Sequence, residues 1–219
     1  MLTIHGVTRS RASRIIWLCH ELDLPFRQIP VIQAYRLADP DADDAPPNTH
    51  SAVFLALSPA GAIPVIEDDG LVLSESLAAT LYLARRHGGP LAPADLAEDA
   101  LMMQWSFYAA TSIEPDALTI LFLHGPTRLQ AGEDQAIVAH AAERLVRPLK
   151  VVEDHLSTRS HLVGNRFTVA DINMAEVLRY AQGHHDLMTP FPAVMAWLEA
   201  CQARPAFRRM WEARAAEPE

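Results

Sequence analysis

Residues 58–76 read SPAGAIPVIEDDGLVLSES, and the fold turns on this stretch. Ser58-Pro59 stops a preceding helix, because proline disfavours the helical conformation in the residue before it. Residues 64–67 read as a strand and Asp68-Asp69-Gly70 as a hairpin turn, with the glycine supplying a positive φ. Residues 71–73 form the returning strand. Ser74 or Glu75 then opens a helix that runs to Arg86. Arg85, Arg86 and His87 suit its negative end, and Gly88-Gly89 stops it.

Upstream, residues 2–5 are short and apolar and run into Gly6, which reads as a first strand. Ala12, Ile15, Ile16 and Cys19 recur at helical spacing, so residues 11–22 read as an amphipathic helix. Residues 26–31 read as a second strand. The acidic, proline-rich run 38–50 (ADPDADDAPPNTH) has no periodicity and reads as a surface loop. Residues 52–57 read as a short helix. The first half therefore has the order β-α-β-α-β-β-α.

Downstream of Pro93 no clear strand signal appears. Helical signals cover residues 95–112, 116–123, 133–156, 168–180, 192–201 and 206–213. Thr168 followed three residues later by Asp171 reads as an N-cap with its capping-box acid. The expected class is α+β. A mixed domain spans residues 1–87, a Gly/Pro linker residues 88–93, and an all-helical domain residues 94–219.

Composition narrows the function classes. Half of the 219 residues are apolar and 21% are charged, as in a globular chain. The net charge of −9 gives no basic footprint, so nucleic acid is not an expected partner. Two cysteines build no disulfide framework and no CxxC pair occurs, which fits a reducing, cytoplasmic compartment. The start, MLTIHGVTRSR, lacks the apolar core of an export signal. The longest stretch free of Asp, Glu, Lys and Arg is broken by Pro46, Pro47, Pro59 and Pro64, so no membrane span is expected.

Four segments, in this order and spacing, carry a resemblance. They are Ser10-Arg11-Ala12-Ser13-Arg14, Ser58 to Pro64, Ser74-Glu75-Ser76 with Tyr82-Leu83, and Phe167-Thr168-Val169-Ala170-Asp171. Together they resemble the cytosolic glutathione transferases over essentially the whole chain. The first loop is most similar to the bacterial and fungal members that carry Ser-Arg there. The resemblance implies a thioredoxin-like N-terminal domain, an all-helical C-terminal domain and a homodimer. Glutathione would be a co-substrate, with no tightly bound cofactor and no metal. The implied reaction is attack by the glutathione thiol on a hydrophobic electrophile.

The resemblance also implies roles for particular residues. Ser10, between the first strand and first helix, would donate to the thiolate, with Arg11 beside it and Ser13 as the alternative donor. By local rules alone Ser10 is equally a helix cap. Arg9, Arg11 and Arg14 form a local basic cluster that suits an anion, or else a solvated face that pairs with Asp39 to Asp44. Ile63 and a cis Pro64 would hold the cysteinyl part of glutathione. Ala62 stands where many relatives have a basic residue, which leaves His50 or Arg11 for the glycine end. Glu75 and Ser76 would bind the γ-glutamyl end, and by local rules they are also a helix cap and first-turn acid. Tyr108, Thr111 and Glu114 would face the second substrate, although an aromatic and Met cluster at helical spacing is commonly core.

Cys19 lies on an apolar face and reads as a buried structural thiol, and Cys201 reads as inert. Adjacent His184 and His185 point about 100° apart on a helix, which argues against a metal pair. No G-x-S-x-G elbow supports a hydrolase. Two alternatives stay open. One is glutathione-dependent disulfide reduction. The other is a non-enzymatic interaction protein on the same fold, with the basic cluster and the acidic loop as docking surfaces.

Overall fold

The computed structural model describes residues 1–124 and 132–217. They form two compact units, Met1–His87 with Pro205–Glu219, and Gly88–Arg204. The last helix therefore belongs with the first unit, whereas the sequence pattern grouped it with the helical second half.

The first unit holds strands β1 (Leu2–His5), β2 (Phe26–Ile29), β3 (Val65–Asp68) and β4 (Leu71–Ser74), in the spatial order β2-β1-β3-β4. Helix α1 (Ala12–Glu21) is the crossover that makes β1 and β2 parallel, while β3 and β4 run antiparallel to their neighbours. Helix α2 (Ala52–Leu57) matches its expected span. The strand from residue 26 stops at Ile29 because Pro30 has no N–H for the ladder. A 3₁₀ turn over Ala34–Arg36 had no periodic signal to reveal it. Helix α3 (Ser76–His87) follows β4 directly.

Every α1 residue from Ala12 to Cys19 is buried, more than an amphipathic stripe requires. The reason is that both α3 and α10 (Pro205–Ala216) pack against it. Trp17 meets Phe207 edge-on at 4.9 Å, and Phe207 stacks on Trp211 at 5.6 Å. Trp17 and Phe207 are buried, and full burial of side chains of this kind stabilises by roughly 1.5–3 kcal/mol each. On α2, Phe54 packs with Val31 and Val65.

The second unit contains α4 (Leu96–Tyr108), α5 (Glu114–Leu123), α6 (Gly132–Leu156), α7 (Val169–Leu178), α8 (His185–Met188) and α9 (Pro192–Gln202). Asp95 caps α4 by accepting the Glu98 N–H at 2.8 Å. Helix α7 is buried all round, and its start is held by the expected capping box. Asp171 accepts from Thr168 N, Thr168 Oγ1, Leu162 N and Trp197 Nε1 at 2.9–3.1 Å. Burial nevertheless pushes the Asp171 carboxyl above its ordinary pKa, against those four bonds. Among the described residues no helix is long and apolar enough to cross a membrane.

Candidate functional site

Strand register brings three segments to one end of the sheet. His5, the last residue of β1, pairs with Val65, the first of β3, and Val65 pairs with Ser74, the last of β4. The loop after β1, the segment before β3 and the entry to α3 therefore leave the sheet side by side. Gly6 shows how close they come. A Cβ there would lie 3.3 Å from Ile63 Cβ and 3.5 Å from Ala12 Cβ, and its φ of +142° already requires glycine. Ser10 and Arg11, Ile63 and Pro64, and Glu75 and Ser76 all belong to these three segments.

Ser10 is half-buried, and its hydroxyl does two jobs. It donates to Val7 O at 2.7 Å and accepts the Ala12 N–H at 3.1 Å. The local capping reading of Ser10 is thus visible in its bonds, and the proton it would offer a sulfur rests on a carbonyl. Arg11 is exposed at the N-cap position of α1 and makes no side-chain cap bond. Ser13 is fully buried inside α1.

The Ile63-Pro64 bond is cis, as the resemblance implied. Ser58 Oγ donates to Ala62 O at 3.2 Å and ties down the residue before Ile63. His50 is exposed, its ring 3.7 Å from the Asp41 carboxylate. Asn48 holds the acidic loop by donating to Pro40 O and Pro46 O at 2.9 and 3.0 Å.

Glu75 is exposed and adopts φ +67°, a left-handed conformation that strains a non-glycine residue by roughly 1–2 kcal/mol. Strain of this kind concentrates at functional sites. The next residue, Ser76, is 4% exposed and accepts a 3.0 Å bond from Arg14 Nη1. Arg14 is itself 1% exposed, a buried cation whose charge-assisted bond uses the Ser76 oxygen as acceptor and not its proton. The sequence singled out Arg14 only as part of a basic cluster. Its inward role follows from the burial of α1 from Ala12 to Cys19, which the structure shows and residue type alone does not mark.

Tyr108, Thr111 and Glu114 lie in the second unit. The expected helix over residues 95–112 and the separate helix from residue 116 are one helical run, joined by a π-helical turn at Ala109–Ile113. The Glu114 N–H reaches Ala109 O, five residues back. Pro115 supplies the cause, because its ring cannot fit the tighter α spacing against the preceding carbonyl. The widened turn thus lies among these three residues, between Tyr108 and Glu114. Tyr108 meets Trp105 edge-on at 5.9 Å, and its hydroxyl donates to Pro148 O at 3.4 Å. Burial raises the Tyr108 pKa, while Arg147 opposes the rise. Thr111 is exposed with its hydroxyl turned back to Phe107 O, and Glu114 is buried at 6% exposure. Turns of this type are frequent at functional sites.

The remaining candidates carry packing. Cys19 is fully buried, and burial first, then the Asp68 charge, pushes its thiol up to about 12. Cys201 is buried as well. His184 stacks on His124 with ring centres 4.6 Å apart and accepts the Leu187 N–H on Nδ1. Among the described residues no group of three His, Cys, Asp or Glu side chains is placed to hold a metal ion.

A thioredoxin-like unit with a sheet-end site, followed in sequence by a helical unit, defines the class. Comparison with known proteins makes it specific. Residues 4–91 match the family model of the glutathione S-transferase N-terminal domain, and residues 99–205 match that of the C-terminal domain. A glutathione S-transferase of Hyoscyamus muticus is 31% identical over 218 residues, covering 96% of this chain and 98% of that protein. The solved structure of glutathione transferase F7 from Populus trichocarpa superposes with a TM-score of 0.80 at 27% identity. It spans 98% of this chain and 99% of its own. Elongation factor 1-gamma of Rattus norvegicus is 31% identical over 176 residues, 75% of this chain but 38% of that longer protein. The chain belongs to the glutathione S-transferase family.

Proposed function

We propose that this chain binds glutathione at the sheet end of its first unit and activates the thiol near Ser10 for attack on a hydrophobic electrophile. The observation that carries the reading is the His5–Val65–Ser74 register, which gathers the Ser10 loop, Ile63-Pro64 and Glu75-Ser76 at one end of the sheet. Family membership supplies the chemistry.

A free thiol has a pKa near 8.5, so only a few per cent is thiolate at neutral pH. Lowering it by roughly 2 units requires about 2.7 kcal/mol of thiolate stabilisation. A hydroxyl donating to a charged group contributes about 1.5–3 kcal/mol. A helix N-terminus adds roughly 0.3–1 kcal/mol. Ser10, with its hydroxyl turned from Val7 O to the sulfur, and the start of α1 together meet that requirement. Arg11 adds positive charge at the same loop. The thiol proton leaves to solvent, the C–S bond forms, and the leaving group departs with its bonding pair.

In the same reading, Ile63 and Pro64 hold the cysteinyl part and Glu75 and Ser76 hold the γ-glutamyl end. Glu75 meets the ammonium, and the Ser76 hydroxyl, backed by Arg14, meets the carboxylate. Tyr108, Thr111 and Glu114 at the widened turn receive the electrophile. The protein acts as a homodimer in the cytoplasm, with no bound cofactor beyond its co-substrate.

A second reading rests on the match to elongation factor 1-gamma. In it the chain is a non-enzymatic interaction module, with the acidic loop as a docking face. Glutathione uptake measured by titration calorimetry, with an aryl halide and a small disulfide assayed side by side, separates the readings. Uptake at millimolar concentration or below with conjugation of the halide is the expected result. No uptake favours the interaction module, and turnover of the disulfide alone favours glutathione-dependent reduction.

A further inference from the structure

The loop that carries Ser10 is clasped from a distant part of the first unit. Glu217, just past α10, places one carboxylate oxygen 2.6 Å from Thr8 N and the other 2.8 Å from Arg9 N. On β2, the Gln28 amide donates to the same carboxylate at 3.3 Å, and also to Gly6 O at 2.9 Å and Thr8 Oγ1 at 3.2 Å. Arg214 donates Nη1 to Thr8 O at 2.9 Å, and Arg9 Nε donates to Arg214 O at 3.1 Å. Thr8 and Arg9, which immediately precede Ser10, are thus gripped through both backbone amides and one backbone carbonyl. Two successive N–H groups aimed at one anion form a concavity of the kind that holds phosphates and carboxylates. Here the protein's own carboxylate fills it.

We infer that Glu217 is a positioning residue for thiol activation: its carboxylate fixes the Thr8-Arg9 backbone from which Ser10 and Arg11 project. The inference rests on the thiol-activating reading above. Bonds from amides to a charged acceptor are the stronger class of protein hydrogen bond, and a bidentate arrangement adds direction. Holding a donor in productive geometry is what a second layer of contacts supplies to a site. The sign of the charge separates this role from an electrostatic one. A carboxylate near the sulfur raises a thiol pKa by Coulomb repulsion, so simple loss of the charge lowers it. Loss of positioning does the opposite, because a wandering Ser10 no longer holds the thiolate.

The test compares wild type, Glu217→Ala and Glu217→Asp. Three readouts are used: amide exchange at Thr8 and Arg9 without ligand, the ultraviolet thiolate absorbance of bound glutathione against pH, and kcat and KM with an aryl halide. Glu217→Ala is expected to speed exchange at both amides. It should also raise the bound thiol pKa by about one unit and lower the neutral-pH rate roughly threefold, the loss nearing tenfold about two units lower in pH. Glu217→Asp keeps both oxygens and recovers part of each effect. Unchanged exchange, an unchanged thiol pKa, or a thiol pKa that falls in Glu217→Ala overturns the inference. Wild type without any thiolate signal instead overturns the thiol-activating reading, while the exchange result still reports on the clasp.

Discussion

Asp171→Ala removes the acceptor on which a buried polar cluster of the second unit depends. Its two oxygens serve Thr168 N, Thr168 Oγ1, Leu162 N and Trp197 Nε1 at 2.9–3.1 Å. Thr168 and Asp171 are 0% exposed, Leu162 2% and Trp197 6%. The Thr168 hydroxyl can rotate to another acceptor, but the other three donors are fixed by the backbone or the indole ring. A buried donor left unsatisfied costs about 1–3 kcal/mol. Three such donors, eased by a water entering the space of the lost carboxyl, give a loss of about 3–5 kcal/mol. Against a typical total of roughly 5–15 kcal/mol, that is a large share. Asp171→Asn keeps one oxygen and should lose about half as much. Urea unfolding followed by tryptophan fluorescence reads both variants, and the wild-type slope should be retained. A loss below about 1 kcal/mol for Asp171→Ala would refute the reasoning, since it would mean that those donors find other partners at no expense.

Other consequences follow from the same geometry. Ser10→Ala should lower the rate roughly 10- to 100-fold, from a bond worth about 1.5–3 kcal/mol to a thiolate; a loss of less than a few-fold, beside a much larger one for Arg11→Ala, moves the donor role to Arg11. Glu98 accepts two bonds from Arg166 at 2.6 and 2.9 Å and one from Ala94 N at 2.8 Å. Arg166 first, then the Ala94 amide, pull its pKa from 4.5 to about 2. A depressed carboxyl stabilises the fold above its unfolded pKa, so this contribution, about 1 kcal/mol at a partly exposed pair, should fade as pH falls from 4.5 towards 2. Arg166→Ala should remove that pH dependence, read by thermal melting. Cys19 and Cys201, both buried, should resist alkylation in the native protein and react once it is unfolded in urea.

The sheet and its hairpin were legible because short apolar runs were bounded by strong punctuation: Gly6, Pro59, Gly70 and Gly88. The α7 start was legible because a capping box is a local pattern. The reach of α10 was not. Its Phe207 and Met210 read as an ordinary helical face, and only the completed α1, buried all round, reveals what that face covers. The π turn before Pro115 was also hidden, since residue type marks a proline but not how the preceding turn absorbs it. Within the candidate site, the loop residues were visible as motifs. The Arg14–Ser76 bond spans 62 positions and the Glu217 clasp more than 200, and no local signal carries pairings over such distances.

A crystal of the protein soaked with glutathione shows directly which atom meets the sulfur. The tripeptide is expected at the end of the sheet beside Ile63-Pro64, with Ser10 Oγ turned from Val7 O to lie within hydrogen-bond reach of the sulfur. A sulfur nearest to another side chain, or a tripeptide bound anywhere else, would contradict it.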